Sequence, residues 1–355
     1  MNGAQGDGRV VRVRGVPIFT ALAVCLIGSV LGAGSATASI ADVSTDVTPV
    51  IQSLPGGGAQ YIYSMPDGST IMSLVPPEGF DPLTATATQL SEYGFPARPV
   101  AGGGALESWE SEMAGWRSVA QPSSSLPVNA GIDPEATVYS KWGGFSAGIN
   151  NTQSNAFNAV TASVTVPSAN GCVANGVALA AWIGLGGTDG NNNDLLQIGV
   201  VCGEPGSLAG NGFRPFQEFA GVNNPVSLCG MTGWVVNSGD TLSEEITYNT
   251  STSSAYFFVD DMSTGRSAQC VVTAPARWQF DGNTADFIVE APDMAVVPFS
   301  TVYFSNAELA FSSNGIFIPF GSRPTNKYYN NCLSPSVIGG DNESFSLSYG
   351  GSLAC

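Results

Sequence analysis

The feature that most constrains this chain is a long succession of short β-type runs with no helical run among them. From about Thr137 onward, stretches rich in Val, Ile, Thr and aromatic residues recur roughly every ten residues, each closed by Gly, Pro, Asn, Asp or Ser. They are Ala159–Val166, Leu179–Leu185, Leu195–Val201, Gly233–Val236, Leu242–Tyr248, Ala255–Val259, Cys270–Thr273, Ala285–Glu290, Thr301–Leu309 and Gly315–Phe320. Many short strands without crossover helices predict an all-β domain, an antiparallel sandwich or barrel. No internal repeat breaks the series.

One of these runs, Thr284 to Pro292, organises the reading of function. Its centre is β-branched and aromatic, and Pro292 ends it. Side chains alternate along a strand, so Phe287 and Val289 share one face while Asp286, Ile288 and Glu290 share the other. One face is core; the other carries two carboxylates, which are costly beside apolar neighbours unless paired, solvated or used.

Composition narrows the chemistry. The 355 residues include no histidine, which removes imidazole acid–base work, Ser-His-Asp and Cys-His nucleophiles and His-bound metals. Proton transfer must fall to carboxylates or to rarer devices. The formal net charge is −17, and it divides unevenly along the chain: +2 over residues 1–41, −9 over 42–136 and −10 over 137–355. Nucleic acid and anionic lipid would repel such a protein, so neither is expected as a partner.

The chain reads in three parts. Residues 1–38 form a signal peptide: Arg9, Arg12 and Arg14, then an apolar run from Val16 to about Leu31, then the cleavage-type Ala36-Thr37-Ala38. No later stretch resembles a membrane span, so export without an anchor is expected. Residues 39–136 differ in composition and hold no cysteine between the leader and the domain. They carry strand-like pieces (Gln60–Met65 and Ser69–Val75), one short helix from Thr84 to Tyr93 and a linker-like Gln121–Ser125. This acidic segment reads as a propeptide, or as an accessory domain that stays attached. Because both parts are negative, inhibition by a propeptide would rest on apolar and backbone contacts, with Trp109, Trp116 and the segment Leu106–Trp116 as anchors. Residues 137–355 form the sandwich domain, expected to act as a monomer.

Six cysteines lie in that domain, an even number that in an exported chain predicts disulfides. Pairing of neighbours gives Cys172–Cys202, Cys229–Cys270 and Cys332–Cys355. Asn150, Asn249 and Asn342 begin glycosylation sequons. Asp189 to Asn193 matches only the start of a calcium loop, because position six is Asp194 and position twelve Val200. No metal is expected.

Three further stretches carry chemistry. Ala180 to Gly187 is a strand running into a glycine turn that sets Trp182 and Gly184 on one face. In Asp194 to Val200, Leu196, Ile198 and Val200 share a face while Gln197 lies opposite beside Gly199. Phe213 to Phe219 is aromatic with one carboxylate, Glu218. In this order, with Tyr139-Ser140-Lys141-Trp142-Gly143-Gly144, Ala162–Pro167, Gly239-Asp240-Thr241-Leu242, Ala285–Glu290 and Phe299–Asn306, they resemble the glutamic peptidases, the eqolisin family, over nearly all of 138–310. Pro76–Pro82 is similar to the leader of bacterial-type members.

The resemblance implies a concanavalin-like jelly-roll sandwich that cleaves polypeptide substrates in acid without a cofactor. It assigns the catalytic pair to Glu290 and Gln197, a cleft tryptophan to Trp182 and a cleft carboxylate to Glu218, with Asp286 beside them. The chain departs from the family in having Gly186 after W-x-G-x and Asp286-Phe287 where a Glu-Trp pair is usual. Rival readings are a glycoside hydrolase and a non-catalytic lectin-like module. Asp286 and Glu290, four residues apart, stand roughly 13 Å from each other. Glycosidase pairs need roughly 5 to 9.5 Å, so that strand alone cannot supply one.

Overall fold

The computed structural model describes residues 45–350 apart from 100–103, 129–140, 149–155, 170–178, 189–193, 204–207, 209–210, 221–224, 277, 292–297, 312–316 and 331. The leader, the Asn150 sequon, the calcium-like loop, Pro292, Cys172 and Cys355 lie outside the described residues.

Alternation decides how the strands pack. Leu196, Ile198 and Val200 join Ile183, Leu185, Phe287 and Val289 in one buried cluster, as period-two spacing requires. Val160, Ala162, Val164, Leu242, Ile246, Phe257 and Val259 from a second sheet complete the same cluster. Two antiparallel sheets therefore close face to face over a shared core, and the molecule is the predicted β-sandwich. The predicted bounds are met at Leu179–Leu185 and Ala285–Glu290.

Among the described residues the smaller sheet has seven strands. Its order is Val226–Ser227, Arg214–Phe219, Leu196–Cys202, Leu179–Leu185, Ala285–Glu290, Trp142–Ala147 and Thr325–Tyr328. The larger sheet has twelve, with Arg266–Thr273, Ser254–Asp261, Thr241–Asn249, Phe157–Thr165 and Val302–Phe311 side by side. One expected strand is not there: Gly233 lies in a turn at φ +80°, Trp234 and Val235 are irregular, and Val236 makes a single bridge to Phe213. Cys229–Cys270 is bonded as expected, with Gln217 Oε1 accepting from the Cys229 backbone N–H at 3.0 Å. Cys202 and Cys332 are also disulfide-bonded.

The segment before the domain is built into it, and residues 42–355 form one unit. Val50–Ser53, Ala59–Ser64 and Thr70–Val75 extend the larger sheet, Thr70–Val75 pairing with Arg266–Thr273. The expected short helix spans Ala87–Glu92, opened by a Thr86/Gln89 capping box and followed by Gly94 at φ +70°. A second helix, Gly104–Gly115, was not among the expected elements. Both lie against the outer face of the larger sheet, where Leu90, Tyr93, Phe95, Trp109 and Met113 pack on Phe258. The supposed linker is pinned: the Ser123 carbonyl accepts from the Tyr63 hydroxyl at 2.7 Å and its backbone N–H donates to Gly230 at 3.1 Å.

Candidate active site

The outer face of the smaller sheet collects every site residue expected from the sequence. Register arranges them in rows across neighbouring strands. Glu218, Gln197, Gly184, Asp286 and Ser146 form one row. The next holds Phe216, Gly199, Trp182, Ile288, Gly144 and Tyr328. A third holds Arg214, Val201, Ala180, Glu290 and Trp142. Asp286 and Glu290 thus stand at two ends of one strand with Ile288 between them, and Gln197 lies two strands from Asp286.

The middle row is an aromatic floor. Trp182, Trp142, Phe216 and Ile288 form a buried cluster separate from the main core, with Tyr328 partly buried against it. The Trp142 ring meets Trp182 edge-on at 5.1 Å and Tyr328 at 5.6 Å. Glycine on both sides makes this possible. A Cβ on Gly199 would stand 2.6 Å from Trp182 Cα, and one on Gly144, at φ +140°, would stand 2.1 Å from the Phe287 carbonyl oxygen. Trp142 stands in a stretch that carries the family resemblance but has no site role from the sequence, and Tyr328 is not singled out there at all. Their distance along the chain hid them, although Trp142 falls directly opposite Glu290 in the ladder.

Each polar residue has a defined setting. The Trp182 indole N–H donates to Glu290 Oε2 at 3.1 Å, with Trp182 itself 0% exposed and Glu290 half-buried. Gln197, 6% exposed, donates its amide N–H to Glu218 Oε2. That bond orients the amide, and its Oε1 is buried without a partner. Asp286 is 0% exposed, accepts from the Thr284 hydroxyl at 3.3 Å and lies below the surface rather than on it. Burial pushes its pKa well above the usual carboxylate range, with the Ser146 and Thr284 hydroxyls opposing that shift. Among the described residues no cluster of three His, Cys, Asp or Glu side chains could hold a metal ion.

The profile of the peptidase A4 family matches residues 140–342. The chain belongs to that family. It is a glutamic endopeptidase by membership, which sets aside the sugar-cleaving and lectin-like readings. Similar solved structures include scytalido-glutamic peptidase with a transition-state analogue inhibitor: 23% identity, TM-score 0.45, covering 60% of this chain and 100% of that one. An eqolisin, SCP-B, in complex with the tripeptide Ala-Ile-His is 23% identical with TM-score 0.45 over the same shares. Aspergilloglutamic peptidase from Aspergillus niger is 22% identical with TM-score 0.39, covering 48% of this chain and 98% of that one. None of the curated proteins matches.

Proposed function

We propose that this glutamic peptidase is exported and hydrolyses peptide bonds in acid, with Glu290 as general base and Gln197 as oxyanion donor. The observation that carries the reading is the pair of anchored polar groups on one face, Glu290 held by the Trp182 indole and Gln197 aimed by Glu218. The two lie on one face, on either side of the Trp182 row, and the reading requires their side chains to come within one water of each other. Base and donor need not touch: the water lies roughly 3 Å from the base and the oxyanion roughly 3 Å from the donor.

Glu290 takes a proton from the water as its oxygen bonds to the carbonyl carbon. The resulting oxyanion accepts the Gln197 N–H. As the C–N bond breaks, protonated Glu290 returns the proton to the leaving amine, so the enzyme ends as it began. This route uses two residue types and no histidine, in keeping with the composition. Glu290→Gln removes the base and keeps the shape. Cleavage of a denatured protein, followed from about pH 2 to about pH 7, should be confined to acid and lost in the variant. Comparable cleavage by the folded variant would defeat the assignment.

A further inference from the structure

A second group of carboxyls lies on the back of the molecule, beneath helix Gly104–Gly115, where the reaction has no use for it. On the outer face of the larger sheet, Asp260 pairs in register with Ser243, and Glu245 with Phe258. Glu112 enters from the helix, beside Ser243 and Glu245. Asp260 is 0% exposed, and neither of its oxygens has a partner. One oxygen of Glu112 is likewise buried and unpaired, and Glu245 accepts from the Thr247 hydroxyl at 3.1 Å.

The surroundings offer little compensation. Asp261 adds a like charge and Tyr256 a phenol, while Glu107 and Glu110 of the helix face solvent. Arg266 faces Asp261, and the cation that bears on Asp260 among the described residues is Arg117, whose guanidinium donates to the carbonyls of Ala114 and Trp116, both at 2.8 Å. The rest of the seat is largely apolar, with the Arg98 guanidinium 4.9 Å over the Trp109 ring. Trp109, Met113, Phe95 and Phe258 pack there, the Trp116 indole donates to Ser267 at 2.9 Å and Gln269 donates to the Tyr93 carbonyl at 2.8 Å.

We propose that helix Gly104–Gly115 is a proton-held cover, seated when Glu112, Glu245 and Asp260 are neutral and released when they ionise. Burial raises Asp260 to about 8, helped by the charges of Glu112 and Asp261, and raises Glu112 and Glu245 to about 7. A seated value above the ordinary one means that the closed form binds the extra protons. Its stability is therefore complete below about pH 4 and is lost as pH rises through about 7 to 8. The net charges of −9 on residues 42–136 and −10 on 137–355 push the same way. Among the described residues, the aromatic cluster at the active site draws nothing from 45–128. Trp109 and Trp116, expected as anchors of an inhibitory propeptide, pack on the sheet remote from the cleft. The cover holds the back of the sandwich together in acid instead of blocking substrate, and this holds whatever the catalytic roles of Glu290 and Gln197.

Hydrogen exchange on the full chain tests it, corrected for the intrinsic effect of pH. Peptides over 104–115 should be protected near pH 5 and at least about ten-fold less so near pH 8, while 196–202 stays protected. The double variant Glu112→Gln with Asp260→Asn imitates the neutral carboxyls and should keep its helix protected near pH 8, with unchanged peptide cleavage in acid. If the pair does not fold, Glu112→Gln alone should move the release to higher pH. Equal protection of the wild-type helix at both pH values, or an unaltered loss in the folded variants, would overturn the proposal.

Discussion

On the two outer faces of this sandwich, Glu290 and Glu218 are treated in the opposite way from Asp260 and Glu112. On the front, Glu290 and Glu218 each meet an N–H donor from a fixed neighbour, Trp182 or Gln197. On the back, Asp260 and one oxygen of Glu112 are buried with no partner. Hydrogen-bond donors favour a carboxyl's charged form, whereas burial without them favours the protonated one. On the proposed reading carboxyls serve as reagent on one face and as latch on the other, and both hydrogen-bond supply and depth separate half-buried Glu290 from fully buried Asp260.

That comparison can be broken most severely on the front. Glu290→Gln should lower kcat/KM by about 10²–10⁴-fold with the fold intact, measured on a peptide substrate in acid. Gln197→Ala, which removes the donor but not the base, should cost roughly 10²–10³-fold, chiefly in kcat. Trp182→Phe keeps a ring in the floor and loses only the N–H to Glu290. A loss of roughly ten-fold, in kcat rather than KM, is expected for one hydrogen bond to a charged group.

A smaller effect sharpens the contrast in a third place. Glu244 lies inside the sandwich, 0% exposed, with both oxygens unpaired, and burial raises its pKa well above the ordinary value. The folded state keeps a proton there that the unfolded chain gives up, so stability falls as pH rises above the ordinary glutamate range. Glu244→Met should remove that slope. The urea midpoint would rise at neutral pH, by about 1–2 kcal/mol in stability, and change little in acid.

Much of this was legible because strands announce themselves by alternation. Leu196, Ile198 and Val200 against Gln197 and Gly199 gave away both the core face and the site face of that strand. Register was not legible, since it is fixed by pairings between distant segments. Hence the places of Trp142 and Tyr328 at the site went unseen, and Gln197 proved to share its row with Asp286 rather than Glu290. Gly233–Val236 looked like a strand because Trp234, Val235 and Val236 suit one, yet Gly233 turns the backbone there. Helix Gly104–Gly115 escaped notice because it starts in glycines and its apolar spacing is weak; it holds its form by lying on Phe258 and its neighbours.

The strands Val50–Ser53, Ala59–Ser64 and Thr70–Val75 carry a practical lesson for anyone expressing the enzyme. They occupy one side of the larger sheet, with Ser118–Val119 also paired to Arg266–Ser267. A recombinant chain begun near Thr137, where the family's own pattern starts, would bare the row of backbone donors and acceptors along Arg266–Thr273. Such an unprotected ribbon recruits others like it, so the shortened protein would be expected to precipitate before its catalysis could be assayed.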